Sequence, residues 1–178
     1  EIYNGTATNV NLGGWFLTDE GGNLDKWAFP ATNIGPYGYI LVMVDGIEPA
    51  IITNELHASF QLDGNGEYLA LVRPDGVVTS SYSPSYPEQY MDISYGIGGG
   101  GEQRYFGNPT PRSANDTGSA SNIVADTKFS VDRGFYSNAF QLVITTATAG
   151  AEIRYTTDGN VPTQSSTLAR ISGGMRPR

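Results

Sequence analysis

The side chains able to do chemistry fall in a few tight groups. In Asp63-Gly64-Asn65-Gly66-Glu67, three oxygen-bearing residues occupy alternate positions, as in the opening of a calcium loop. Such a loop also needs a Glu at its twelfth position; here that position is Pro74, and the pattern fails. Asp63 and Glu67 could also be the acid pair of a glycosidase. Two carboxylates on one turn are solvated and mobile, so a Gly-rich hairpin between "FQL" and "EYLALV" is the simpler reading. His57 is the single histidine. With Ser59 and a distant Asp it would make a hydrolase triad, but "LHASF" alternates like a strand and no Gly-x-Ser-x-Gly elbow occurs. A hydrogen-bonded structural His is expected. "IGGGGE" (97–102) invites a phosphate, yet "QRYFGNPTP" cannot form the helix that should follow, so a flexible loop is expected. Tyr82, Tyr86 and Tyr90 recur every four residues in a Pro-broken loop and are the candidate ligand-binding residues, for stacking on a sugar or anchoring a protein. The alternative is that they cap the ends of a sandwich. Trp15 and Trp27 sit inside strand patterns and are expected in the core. Asn4-Gly-Thr6 and Asn115-Asp-Thr117 match the glycosylation sequon, a short pattern that also arises by chance. No catalytic residue, metal or cofactor is expected.

The elements that must carry these residues are strands. The 178 residues include 23 Gly, 10 Pro and 11 Tyr against 16% charged residues, a balance that favours turns and pleated strands over helices. Turn signals recur at "GGN", "GPYG", "DG", "DGNG", "PDG", "SPSYP" and "GIGGGG". Regular short strands between such turns predict an all-β sandwich. "GWFLTD" and "KWAFP" form a hairpin. "YILVMV" (39–44) reads as a near-continuous, central strand. "HASFQL", "EYLALV" and "VVTSSY" read as a meander. "GNPTPRSANDTGSASN" (107–122) is small, polar and proline-bearing, as linkers are. In "FQLVITTAT", Phe140, Leu142 and Ile144 alternate with Gln141, Val143 and Thr145 as in a strand. In "YTTDGNVPT" (155–163), Asp158-Gly159 is read as a hairpin corner rather than a catalytic loop.

Charge and composition exclude several classes. Residues 1–115 hold 13 acidic and 4 basic residues, net −9, and the remainder is net +1, giving the −8 of the whole. The acidic part repels phosphate backbones, so nucleic acid is not an expected partner. With no Cys, disulfides and thiolate chemistry are excluded. No window suits a transmembrane helix, so no membrane insertion is expected. The sequence opens at Glu1 without Met or signal peptide and reads as a piece of a longer protein.

Two stretches resemble known families. "EIYN", "LGGWFLTD", "KWAFP", "LHASFQLDGNGEYLALV", "PDGVV" and "RYFGNPTPRSAN", in family order over about 1–115, resemble the bacterial lamin-tail domain. That resemblance implies an immunoglobulin-like β-sandwich. "FSVDRGFYSNAFQLVITTATAGAEIRYTTDGNVPT" resembles the N-terminal half to two-thirds of the chitobiase/hexosaminidase C-terminal-like module, which implies a partial fibronectin-like β module. The expected organisation is a lamin-tail-like sandwich over 1–112, a linker over 113–125 and an incomplete chitobiase-C-terminal-like module over 126–178. The two modules occur together in exported bacterial proteins, some with a CotH-like kinase domain, but no kinase motif occurs here. Neither module carries catalytic residues. The expectation is a non-enzymatic interaction, adhesion or spacer module, extracellular or at the cell surface, with a protein or cell-surface glycan as partner. The alternatives are a carbohydrate-binding module using the loop tyrosines, or an accessory domain of a kinase or glycosidase.

Overall fold

The computed structural model describes residues 1–48, 51–52 (backbone alone), 54–115 and 118–169. Backbone contacts divide the chain into two compact units, Glu1–Ser121 and Asn122–Arg178. The first runs through β1 (Ile2–Tyr3), β2 (Val10–Asn11), β3 (Phe16–Thr18), β4 (Trp27–Ala28), β5 (Asn33–Ile34), β6 (Tyr39–Ile40) and β7 (Val42–Met43). It continues with β8 (Ile51–Ile52), β9 (Glu55–His57), β10 (Leu69–Val72), β11 (Val78–Tyr82), β12 (Ser94–Ile97), β13 (Gln103–Phe106) and β14 (Ser119–Ala120). The second holds β15 (Lys128–Phe129), β16 (Ile144–Thr145), β17 (Arg154–Tyr155) and β18 (Thr167–Leu168). No helix occurs among the described residues, and the all-β first unit is consistent with an immunoglobulin-like sandwich.

In the first unit the widest sheet is antiparallel in the order β11-β10-β3-β4. The β3–β4 pair is the hairpin expected from "GWFLTD" and "KWAFP". Its loop is closed by the Thr18 hydroxyl, which donates to the Asn23 carbonyl at 2.6 Å. Lys26 adds ion pairs to Asp19 at 2.7 Å and Glu20 at 2.5 Å. The β10–β11 hairpin turns at "PDG", where the Gly76 amide donates to the Arg73 carbonyl at 2.9 Å. Strand alternation decides what faces inward: Leu17, Trp27, Ile34 and Leu56, from three different sheets, meet Leu12, Phe29, Ala58 and Phe60 in one buried cluster. Trp15 packs half-buried against it, so both tryptophans belong to the core.

Several sequence expectations are corrected by the strand pairing. The run 39–44 is not one central strand. It breaks at Leu41, β6 pairing with β1 and β7 lying parallel to β9 at the edge of its sheet. Only its alternate residues Ile40, Val42 and Val44 touch the core, while Tyr39 stacks on Tyr3 at 4.7 Å and Met43 is exposed. An apolar run covered on one face looks in sequence like a strand covered on both. The meander also fails at "HASFQL": β10 takes β3 as its second neighbour, and Gln61 makes an isolated bridge to Asp45. Finally, "GIGGGG" is not a loose loop. It is the turn of the β12–β13 hairpin, closed by the Gly98 amide donating to the Glu102 carbonyl at 2.8 Å.

The stretch 113–125, read as a linker, contains the unit boundary at 121/122, and it also contains β14, which pairs with β13. Just before it, the Arg112 amide donates to the Glu1 carboxylate.

Among its described residues the second unit holds two two-stranded ladders, β15–β16 and β17–β18. The run 140–145 forms a strand only at Ile144–Thr145, and Phe140 and Leu142 are exposed rather than inward. Among the described residues of this unit only Ile153 is buried, so no second layer covers the alternating face. This contrast makes an expectation for chemical denaturation. Leu12→Ala, at a fully buried site, should cost about 3 kcal/mol. Phe135→Ala, at a fully exposed site, should change stability by less than about 0.5 kcal/mol.

Candidate functional site

The loop tyrosines enter a row of five rings. Tyr86 meets Tyr82 edge-on at 6.3 Å, Tyr82 meets Tyr95 at 5.8 Å, Tyr95 meets Tyr105 at 4.9 Å, and Tyr105 meets Tyr90 at 5.9 Å. Tyr95 and Tyr105 are cross-strand partners on β12 and β13, so their side chains share a face. The row joins β11 of the wide sheet to the β12–β13 hairpin and to the loop 83–92. Of the sequence-picked residues, Tyr82 and Tyr86 touch each other, while Tyr90 reaches them only through Tyr105 and Tyr95. Tyr86 is 5% exposed and offers no ring face to a ligand, Tyr82 is half-buried, and Tyr90 is 37% exposed. Tyr95 ends the aromatic stretch "SYSPSYPEQYMDISY" (81–95) but, like Tyr105, is not among the sequence candidates; the two sit opposite each other once the glycine turn is taken as a hairpin.

The hydroxyls explain the arrangement. Tyr86 Oη donates to the Asp63 carbonyl at 2.8 Å, with Glu67 Oε1 at 3.1 Å. The Tyr86 amide donates to the Glu67 carbonyl at 2.9 Å, and the Gln89 amide to the Gly64 carbonyl at 2.7 Å. The 63–67 turn is therefore tied to residues 86–89, and its flanks do not pair as a hairpin. Gly66 has φ +99°, and a Cβ there would run into the Tyr86 carbonyl oxygen, so glycine is required. Tyr105 Oη donates to the Glu88 carbonyl at 2.8 Å, and Tyr90 Oη to the Glu88 carboxylate at 3.1 Å. Burial, then the Glu67 and Asp63 charges, pushes the Tyr86 hydroxyl far above its ordinary value. Burial also raises Tyr82 and Tyr105, and the hydrogen bond to Glu88 raises Tyr90.

The two acids of "DGNGE" do not face each other across a cleft. Asp63 Oδ1 accepts from the Asn65 amide at 2.8 Å and the Asn65 side chain at 2.9 Å, which hold its pKa below the ordinary value. Glu67 Oε1 accepts from the Asp63 amide at 2.5 Å. Both carboxylates serve the turn itself. No group of three or more His, Cys, Asp or Glu that could hold a metal occurs among the described residues.

His57 finds its acid in Asp45, a partner that no spacing rule names. Its Nδ1 lies 2.8 Å from Asp45 Oδ2, and its buried Nε2 has no partner among the described residues. Desolvation opposes ionisation of Asp45, but the His57 and Ile47 hydrogen bonds outweigh it and hold the pKa below its ordinary value. The pair supplies two of the three members of a triad, yet the free nitrogen is covered from solvent. It fastens the parallel β7–β9 register, in which Met43 lies opposite His57. Asn4 of the first sequon is likewise structural: it is buried, and its Nδ2 donates to the Thr8 and Gly35 carbonyls at 2.7 and 2.8 Å.

Two titrations check this electrostatic picture. Tyr82, Tyr86, Tyr90 and Tyr105 should ionise later than free tyrosine in an alkaline absorbance titration. Raised folded values mean that this stability is complete below the ordinary tyrosine value and is lost as pH rises through the folded ones. Tyr86→Phe should cost about 1.5 kcal/mol in denaturant unfolding. Asp45 runs the other way. Its depressed value adds stability above the ordinary Asp value that disappears as pH falls through the folded one, so Asp45→Asn should flatten that acid limb.

Residues 131–169 match the family model of the chitobiase/beta-hexosaminidase C-terminal domain, an accessory, non-catalytic module, as the resemblance of the second unit implies. A search of the curated proteins and a search of the solved structures each return no match.

Proposed function

We propose that the chain is a non-catalytic interaction, adhesion or spacer segment of an exported multidomain bacterial protein. In this reading a lamin-tail-like sandwich is followed by a chitobiase-C-terminal-like module, extracellular or at the cell surface, with a protein or glycan partner. One observation carries it: the side chains of catalytic type are engaged in holding turns and strands. His57 is buried against Asp45, and Asp63 and Glu67 are consumed by their own turn and by Tyr86. The accessory-module match over 131–169 supports it from a different part of the chain. In the second unit the Asp158-Gly159 corner follows β17, and the Asn160 amide donates to Asp158 Oδ1 at 3.1 Å, which is turn chemistry. No helix among the described residues is long and apolar enough to cross a membrane. A sugar platform on Tyr82, Tyr86 and Tyr90 is not retained, because Tyr86 is interior.

The test is enzymatic. The purified chain is incubated with chromogenic N-acetylhexosaminides and, separately, with ATP and acceptor peptides. No turnover above background is expected, with His57→Gln and Glu67→Gln indistinguishable from the parent. Turnover that either substitution abolishes would sink the proposal.

A further inference from the structure

The second unit holds a cleft of about 260 Å³ between the turn after β17 and the segment entering β18. On one side stand Tyr155, Thr156, Thr157 and Asp158; Ser165, Ser166 and Thr167 face them. We propose that this cleft binds a neutral pyranose ring. The proposal goes beyond the non-catalytic role above and needs nothing from the first unit.

Every lining side chain bears an oxygen, none is basic, and one is aromatic. Tyr155 and Thr167 are directly opposed in the β17–β18 register, so ring and hydroxyl lie on one face of the ladder. Tyr155 is 39% exposed, and its ring can lie against the C–H face of a sugar. The hydroxyls of Thr157 and Thr167, both exposed, make no hydrogen bond within the described residues and are free to donate or accept.

The acidic wall is set in advance. Asp158 Oδ1 accepts from the Asn160 amide at 3.1 Å, and Oδ2 accepts from Asn160 Nδ2 at 2.8 Å. The Thr156 hydroxyl donates to the Asn160 carbonyl at 2.5 Å, and Ser166 Oγ accepts from the Thr163 amide at 2.9 Å. These bonds fix both lips of the cleft without a ligand, which lowers the ordering cost of binding.

The lining also selects against other ligands. An anion would meet the Asp158 carboxylate, and the nearby Arg154 is engaged by the Ser166 carbonyl at 2.9 Å and by Glu152 at 2.9 Å. An apolar ligand would strip water from hydroxyls it cannot bond. A hard cation needs several oxygen ligands with more charge than one carboxylate supplies. The site is shallow and open, which suits a single ring lying on it with one face in water. A polyol with an apolar face and a rim of paired donors and acceptors meets all four conditions.

The test is a chemical-shift titration of the full chain, labelled with ¹⁵N. The probes are methyl β-glucopyranoside, its 2-acetamido analogue and glucuronate. Saturable shifts are expected at amides of 155–158 and 165–167 with at least one neutral sugar, and weaker ones with glucuronate. Tyr155→Ala should abolish them. Thr157→Val, an exposed and nearly isosteric change, and Asp158→Asn should each weaken affinity about tenfold, roughly 1.4 kcal/mol. Tyr90→Ala should leave them unchanged. No saturable shift with either neutral sugar, tighter binding of glucuronate, or shifts that survive both Tyr155→Ala and Thr157→Val would overturn the inference. Hydrolysis of a glycoside would instead overturn the non-catalytic role and leave the cleft standing.

Discussion

The loops of the first unit depend on a row of tyrosines whose rings are in contact and of which two, Tyr86 and Tyr105, bond backbone carbonyls through their hydroxyls. Its strands are two to five residues long, and such short ladders contribute few hydrogen bonds each. A buried aromatic ring removes on the order of 150–250 Å² from water, and the buried Tyr86 and Tyr105, flanked by the half-buried Tyr82 and Tyr95, add contact that the short ladders do not. Burying a phenol leaves a hydroxyl that must be bonded. Tyr86 and Tyr105 meet that demand at the Asp63 and Glu88 carbonyls, and each bond pins a loop to the sheet. Packing and loop order are one interaction here.

The same constraint accounts for what looked like chemistry. Carboxylates cluster near these loops because turns without regular ladders need acceptors for their own amides. Asp63, Glu67 and Asp158 each accept from a backbone N–H within four residues, the behaviour that makes Asp and Asn turn formers. The Asp45–His57 pair does similar work at longer range, joining two strands that run parallel and so cannot be linked by a short turn.

The second unit is held differently. Its apolar side chains are mostly exposed and its loops are fastened by hydroxyls: Thr146 Oγ1 donates to the Ala125 carbonyl at 2.7 Å, and Ser130 Oγ accepts from the Val143 amide at 2.9 Å. A segment of this size encloses little interior. Polar side chains that fix loops from outside also leave other hydroxyls facing water, and that is how a polar cleft arises between β17 and β18.

Much of this was determined by local sequence. The all-β class follows from turn chemistry at "PDG" and "DG" and from period-two patterning, both properties of neighbouring residues. The β3–β4 hairpin, the core placement of Trp27 and the corner at Asp158-Gly159 follow for the same reason. The tertiary structure alone decided which runs pair and which polar groups meet. Residues 39–44 change partners at Leu41, β6 taking β1 and β7 taking β9. Asp45 reaches His57 because β7 and β9 are parallel. Tyr82, Tyr86 and Tyr90 share a four-residue spacing yet have three different burials, since their neighbours, Tyr95 and Tyr105, come from a hairpin further along the chain. Spacing along a chain reports which side chains can share a face; only the folded sheets set what stands opposite that face.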